Sequence, residues 1–292
     1  MERRGRLGCG WKFCRFESKL KSIQMNNVIN KLVERQIKSL PLINNVTCTL
    51  LKNFSDYKLE GTGVFIKIGN LHLLVSAAHV FDDFNELFIP IDDGNFLIKP
   101  GGQLIINNPK TKRSHDKLDI GILILDKISV DDLKNDYSFL AEKDILINHK
   151  LDFLSNYIVY GYPSTWSKKS QTRNSFHTRP FINFTKSIRT ENLDKKNVLN
   201  IFVEYDRKNT VNFKSKKFSY GPNLYGISGC GLWYSNPLDY EKEANPKLVG
   251  IMIEWSMKNK KIIFGTRIDA VTEILRHKNL VDFPESDLFS FI

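Results

Sequence analysis

Residues 61–81, with the sequence GTGVFIKIGNLHLLVSAAHVF, constrain the fold of this chain more than any other segment. β-Branched and aromatic residues fill two short runs, and the glycine-asparagine pair at 69–70 favours a tight turn between them. The segment therefore predicts a β-hairpin. Small residues precede His79 at the end of the second run, and a general base needs such space for its ring and a substrate. His79 is a candidate base, and a structural histidine beside an apolar run is the alternative.

An aspartate opens the apolar run of KLDIGILIL, residues 117–125, which predicts a buried strand. Burying a carboxylate costs free energy unless the group is paired or hydrogen-bonded, so Asp119 needs a partner such as a histidine N–H. A solvent-facing aspartate at a strand edge is the alternative. Asp116 is a competing candidate, although its polar surroundings favour solvent exposure.

A serine lies between glycines in YGISGCGLW, residues 225–233. A serine hydroxyl is a weak nucleophile, so it needs an adjacent base and backbone N–H groups aimed at the developing oxyanion. Gly226 and Gly229 around Ser228 allow a tight turn that presents such donors without a Cβ in the way. Turns of this composition also occur in loops without catalytic activity.

The segments GTG, SAAH, DIG and GISG follow one another in an order that resembles the trypsin-like serine peptidases with the chymotrypsin fold. The resemblance covers about residues 45–275 and includes features of bacterial members. It implies an all-β fold of two six-stranded antiparallel Greek-key barrels with a C-terminal α-helix, and the residues before it predict an N-terminal helical extension. The chain resembles a bacterial-type intracellular member of the family, and an endopeptidase in that compartment is expected to have a narrow protein target.

The same resemblance implies a role for each candidate residue. His79 would take the proton of Ser228 and deliver it to the leaving amine, while Asp119 holds the imidazole in the required tautomer. The N–H groups of Gly226 and Ser228 would form the oxyanion hole. The peptide bond would be hydrolysed through an acyl-enzyme, and the mechanism requires no metal and no organic cofactor.

Substrate contacts are also implied by the resemblance. KLVGIMIEWS, residues 247–256, resembles the strand that pairs with an extended peptide, so Ile253, Glu254 and Trp255 are expected to bind substrate by β-addition. Pro222 stands where trypsin places the acid that selects lysine and arginine. The sequence therefore does not support a preference for basic residues, and an apolar or small residue before the cleaved bond is expected.

Two other positions near the nucleophile differ from better-known members of the family. Ile227 replaces the aspartate that receives a new N-terminus in digestive members, so that activation switch is absent. Cys230 is an alternative nucleophile, because some viral relatives use cysteine. The residue two before Cys230 is Ser228 rather than glycine, so a buried packing thiol is the favoured interpretation.

The chain divides into three predicted regions by this reasoning. NNVINKLVERQIKSL, residues 26–40, predicts an amphipathic helix, and RIDAVTEILRH, residues 267–277, predicts a closing helix. The acid-rich stretch at 126–144 is expected to connect the barrels with a short helix. The regions are a basic segment with a helical extension at 1–44, a first barrel with His79 and Asp119 at 45–135, and a second barrel with Ser228 and the closing helix at 136–292.

The composition limits the compartment. The four cysteines do not form a spaced disulfide framework, which favours a reducing compartment. Cys9 and Cys14 lack the second ligand pair of a metal site, and translation from Met25 would remove both. No apolar run has the length of a signal peptide or a membrane span. A cytoplasmic protein without a membrane partner is expected, and the sequence carries no signal for an oligomeric state.

A net charge of +11 raises the question of an acidic partner. No nucleic-acid-binding motif accompanies the charge, so a solvated basic surface is favoured over a nucleic-acid interface. The basic stretch at 208–217 approaches Ser228 along the chain and could favour acidic peptide segments. The alternative to a peptidase is a catalytically silent module of the same fold that binds an acidic partner.

Overall fold

The computed structural model describes residues 34–52, 58–107, 116–151, 156–169, 175–188, 198–212, 214–215, 217–236, 245–255 and 261–289. Cys9, Cys14 and Met25 lie outside the described residues. The described helices are α1 (34–45), α2 (Lys127–Leu133) and α3 (Ile268–His277). The N-terminal helix therefore ends five residues beyond its predicted end, and the two other predicted helices are confirmed. Among the described residues, no helix has the length and apolar content needed to cross a membrane.

The first sheet contains the strands β1 (Thr47–Lys52), β2 (Lys58–Ile68), β3 (Leu71–Ala77), β4 (Leu87–Ile91), β5 (Phe96–Ile98), β6 (Gly102–Ile106), β7 (Ile120–Leu125) and β8 (Leu140–Ala141). Its order is β5-β4-β1-β2-β3-β7-β6, with β8 parallel to β2 and all other pairs antiparallel. The predicted hairpin is β2–β3. Its turn contains Gly69 at φ 56°, a left-handed conformation that glycine adopts without a Cβ penalty.

The second sheet and a small hairpin contain β9 (Asn156–Gly161), β10 (Lys168–Lys169), β11 (Phe176–His177), β12 (Phe181–Thr185), β13 (Asn200–Glu204), β14 (Thr210–Val211), β15 (Phe218–Ser219), β16 (Gly231–Ser235), β17 (Lys247–Trp255) and β18 (Ile262–Arg267). The sheet order is β13-β18-β17-β16-β9-β12-β14-β15, and β10 pairs with β11 separately. Each sheet has eight described strands, of which six have at least five residues. The predicted six-stranded barrels correspond to these longer strands, and the short ones extend the sheets.

One buried cluster joins the two sheets. It contains Val75 of β3 and Ile122 of β7 from the first sheet, and the fully buried Trp233 of β16 from the second. Helix α3 packs its apolar stripe against the same cluster, with Val271 and Leu275 completely buried. The ends of β3 and β7 are thereby fixed relative to the loop that precedes β16, and the candidate catalytic residues lie at these places.

Candidate active site

His79 and Asp119 lie at adjacent strand ends. His79 is in the 3₁₀ turn Ala78–Phe81 directly after β3, and Asp119 directly precedes β7. Ala77 of β3 is opposite Ile120 of β7. His79 and Asp119, which lie just beyond these two strand ends, are therefore neighbours. The Nδ1 atom of His79 is 2.6 Å from Oδ2 of Asp119, and the His79 backbone N–H donates to Oδ1 at 3.0 Å. One carboxylate therefore fixes both the ring and the main chain of His79.

The main chain of Asp119 is in an uncommon conformation. Its φ is 34°, in the left-handed region, which aspartate enters more readily than most residues. The Asp119 carbonyl accepts the Ala78 N–H at 2.9 Å, and the side chain of Asn200 holds the carbonyl of Lys117 just before it. Only 6% of Asp119 is exposed. The backbone of His79 thus orients this carboxylate.

Ser228 lies in the loop before β16, and its hydroxyl does not contact His79 by a hydrogen bond. The Ser228 Oγ donates to the carbonyl of Ile253 at 3.3 Å. Ile253 is the extra residue of a β-bulge, because the β17–β18 register shifts between Met252 and Glu254. The bulge leaves the Ile253 carbonyl free to accept this hydroxyl. The structure thus shows a resting orientation of Ser228.

Gly61 brings the serine loop next to the histidine turn. A Cβ on Gly61 would lie 2.7 Å from the side chain of Val80 and 2.9 Å from the carbonyl oxygen of Ser228. Val80 directly follows His79, so both candidate segments pack on the same glycine of β2. Only a residue without a side chain allows this close approach.

The peptide units around Ser228 are held by their carbonyl groups. Ser164 N–H donates to the Tyr225 carbonyl at 2.7 Å, and Cys230 N–H donates to the Ile227 carbonyl at 2.9 Å. The C=O and N–H of a trans peptide point in opposite directions, so the N–H groups of Gly226 and Ser228 point away from these contacts. Within the described part of the chain, neither N–H donates a hydrogen bond. They are available to stabilise an oxyanion.

The comparisons with known proteins give structural matches only. No protein-family model matches the chain, and no curated protein matches its sequence. The atomic-resolution structure of HBP matches with a TM-score of 0.51 and 12% identity, over 82% of this chain and 93% of HBP. The protein has the chymotrypsin-like fold.

Two further solved structures that match the chain are described as serine proteases. The thermostable serine protease AL20 from an extremophilic microorganism has a TM-score of 0.49 and 10% identity, over 82% of this chain and 98% of AL20. Neuropsin, a serine protease expressed in the limbic system of mouse brain, has a TM-score of 0.48 and 14% identity, over 80% of this chain and 94% of neuropsin.

Both described cysteines are buried packing residues within the chymotrypsin-like fold. Cys48 and Cys230 are free thiols, and Cys230 is completely buried behind the Ser228 loop. Burial raises the pKa of the Cys230 thiol far above its ordinary value, with its backbone hydrogen bond opposing this only in part. The thiolate is the reactive form of cysteine, so this environment disfavours Cys230 as a nucleophile.

The predicted substrate-binding residues are in different environments. Pro222 is buried, and its carbonyl accepts the hydroxyl of Tyr205 at 2.7 Å. Ile253 is also buried, whereas the side chains of Glu254 and Trp255 lie outside the described residues. The backbone of these last two residues pairs with β18 on one side only. Among the described strands, no strand pairs with their other edge.

Thr62 and Ser76 are site residues that sequence reasoning missed. The Ser76 hydroxyl donates to the Thr62 carbonyl at 2.8 Å, and Thr62 N–H donates to the Ser228 carbonyl at 2.8 Å. Both side chains are completely buried. The available signal is the position of Thr62 between two glycines in GTG, a segment that predicts a strand and supports the family resemblance but does not identify the partners of Thr62. Among the described residues, no cluster of histidine, cysteine and acidic side chains could hold a metal ion.

The environment of His79 predicts the pH dependence of activity. Burial lowers the pKa of His79, but the hydrogen bond and charge of Asp119, with smaller effects of Glu60 and Asp82, raise it above 6.5 overall. Catalysis needs the neutral ring, so kcat/KM should rise with pH through a single ionisation centred above 6.5. The stabilisation from protonated His79 is present below pH 6.5 and is lost as the pH rises through the folded pKa. A pH profile with its acid limb centred below 6.5 would contradict this assignment.

Proposed function

We propose that the protein is a serine endopeptidase with Ser228 as nucleophile, His79 as general base and acid, and Asp119 as the residue that orients His79. The observation that carries this proposal is the 2.6 Å contact between His79 and Asp119 beside a loop with two N–H groups unbonded within the described residues. A buried carboxylate, an accessible imidazole and an adjacent serine loop are the parts that acyl transfer requires.

The catalytic cycle begins with a change in the Ser228 hydroxyl. Its hydrogen bond to the Ile253 carbonyl must break, and the hydroxyl must turn toward Nε2 of His79. His79 then takes the hydroxyl proton as Oγ attacks the substrate carbonyl, and the N–H groups of Gly226 and Ser228 stabilise the oxyanion. The proton passes from His79 to the leaving amine. Water then attacks the acyl carbonyl while His79 takes its proton, and the bond to Ser228 Oγ breaks as His79 returns the proton to that oxygen and the acid is released.

An extended peptide is the substrate that fits the open strand edge. Among the described strands, β18 alone pairs with the backbone of residues 254–255, so a peptide could add as a further strand through main-chain hydrogen bonds. The buried Pro222 and its bonded carbonyl offer no charge at this position for a basic side chain. We therefore expect cleavage after apolar or small residues.

A fluorophosphonate probe and a peptide library test the proposal together. The wild-type chain should be labelled covalently and should cleave library peptides, whereas the Ser228→Ala variant should do neither. The His79→Ala variant should lose most labelling, because the probe reacts only with an activated serine. A folded wild-type chain that neither labels nor cleaves would contradict the proposal.

A binding module is the second candidate, and the resting orientation of Ser228 favours it. The Ser228 hydroxyl donates a hydrogen bond to the carbonyl of Ile253 rather than to His79. A cavity of about 800 Å³ is lined by the basic residues Arg207, Lys208 and Lys261 and by the acidic residues Glu204 and Asp206. The guanidinium of Arg207 stacks 4.4 Å from the ring of Tyr220. The basic side chains outnumber the acidic ones by one, and this small excess of positive charge supports an acidic partner.

Binding of a glutamate-rich peptide by the Ser228→Ala protein tests this second candidate. Fluorescence anisotropy should show binding that weakens with salt and with Lys208→Glu. The matched control is Lys134→Glu, because Lys134 is an exposed lysine of the first barrel region and does not line this cavity. Equal binding by the Lys208→Glu and Lys134→Glu variants would exclude an acidic partner at this surface. A Ser228→Ala protein that does not bind the peptide at all would exclude it as well.

A further inference from the structure

Thr62 makes a hydrogen bond with every polar atom that it has. Its N–H donates to the Ser228 carbonyl at 2.8 Å, and its hydroxyl donates to the Gly226 carbonyl at 3.2 Å. The same hydroxyl accepts the Tyr162 N–H at 3.0 Å, while the Thr62 carbonyl accepts the Ser76 hydroxyl at 2.8 Å. A hydroxyl has one proton and can accept as well, so this arrangement is chemically complete.

The contact with Gly226 has a particular position in the loop. The two oxyanion donors, Gly226 N–H and Ser228 N–H, are separated by the peptide unit that joins Gly226 to Ile227. Rotation of that unit changes the angle between the donors. Thr62 holds this unit through its carbonyl, and the Ile227 N–H makes only a long 3.3 Å bond to Leu224 on the opposite side.

Gly226 itself cannot hold this geometry by steric restraint. Its φ is 89°, and because glycine has no Cβ, its φ and ψ angles can vary widely around this value. A Cβ there would lie 2.3 Å from the side chain of Leu59 and 2.9 Å from Ser164 N, so no larger residue can replace it. The orientation must therefore come from a hydrogen bond outside the loop.

We propose that Thr62 is a positioning residue. Its hydroxyl orients the loop so that the N–H groups of Gly226 and Ser228 point at the same oxyanion. This inference rests on the proposed peptidase function. Thr62 does not touch substrate, because it is completely buried and acts through the Gly226 carbonyl. Its role is to keep the hole formed before the substrate arrives, so that no reorganisation is needed in the transition state.

The test compares Thr62→Val, which keeps the branched shape, with Thr62→Ser, which keeps the hydroxyl. Loss of a single oxyanion donor lowers kcat by about 10²–10³, so Thr62→Val, which only loosens both donors, should lower kcat by about 10- to 100-fold. KM should change much less. The inhibition constant of a peptide aldehyde, whose adduct carries an oxyanion, should rise by about the same factor as kcat falls. Thr62→Ser should restore both values.

Thr49→Val is the matched control for a purely structural effect. Thr49 is the cross-strand partner of Thr62, is 2% exposed and makes no hydrogen bond to the serine loop. It should keep the wild-type kcat and aldehyde affinity even if its melting temperature falls. Wild-type kcat for folded Thr62→Val, or an equal loss in Thr49→Val, would overturn the role of Thr62.

The activity of the wild type separates a failure of the proposed function from a failure of the inference about Thr62. An inactive wild-type chain would contradict the proposed function, whereas an active wild type with an unaffected Thr62→Val would contradict only this inference. If Thr62→Val does not fold, a structure of the wild type with a peptide boronate decides the matter. The Thr62 hydroxyl should remain bonded to the Gly226 carbonyl while both N–H groups contact the boronate, and a broken bond would contradict the inference.

Discussion

Replacing Ser228 with alanine should lower kcat by about 10⁶-fold, with little change in KM. The nucleophile is lost, but the oxyanion donors are backbone groups and the open edge of β17 does not depend on the serine side chain. The loss of one hydrogen bond to the Ile253 carbonyl should reduce the free energy of unfolding by only about 1 kcal/mol. Steady-state kinetics and thermal unfolding of the same protein preparation measure both effects.

Cys230→Ala is the control that separates the two nucleophile candidates. Its thiol is completely buried, so truncation should lower the free energy of unfolding by about 1 kcal/mol through a small cavity. It should leave kcat within about twofold of wild type, because Cys230 contributes its backbone N–H rather than its thiol to the loop. A Ser228→Ala protein that retains activity, combined with an inactive Cys230→Ala, would make the enzyme a cysteine peptidase.

Local patterns predicted the elements that position the candidate site. The hairpin turn at Gly69, the buried strand after Asp119 and the helix near the C-terminus each follow from residue types a few positions apart. The neighbourhood of His79 and Asp119 also follows, because a buried carboxylate requires a partner and the structure provides one at 2.6 Å.

Contacts between distant segments could not be predicted in the same way. The Thr62 hydroxyl reaches Gly226 across 164 residues, and no periodicity marks such a pair. The bulge at Ile253, which turns its carbonyl to Ser228, depends on the register between β17 and β18. The spacing of Pro222 to Ser228 predicts its place near the substrate, but not the hydrogen bond from the hydroxyl of Tyr205, which directly follows β13, to its carbonyl.

Asp119→Asn should lower kcat by about 10⁴-fold while the protein stays folded. Asparagine tolerates the left-handed backbone at φ 34°, and its carbonyl oxygen can still accept the His79 N–H. Its amide would donate to Nδ1 of His79, which places the ring proton on Nε2 and leaves no base for the Ser228 proton. Loss of the Asp119 charge should also lower the pKa of His79, because Asp119 has the largest effect that opposes burial.

Asp116→Asn is the matched control, since Asp116 is the competing carboxylate three residues earlier. It accepts hydrogen bonds from Leu118 N–H and the Asn107 side chain, so the substitution should change kcat by less than about twofold. The pH profile of residual Asp119→Asn activity distinguishes orientation from general damage. Its acid limb should move to lower pH, because the ring that loses the Asp119 carboxylate is easier to deprotonate. An unshifted limb, or an equal loss of kcat in Asp116→Asn, would show that Asp119 does not act on His79.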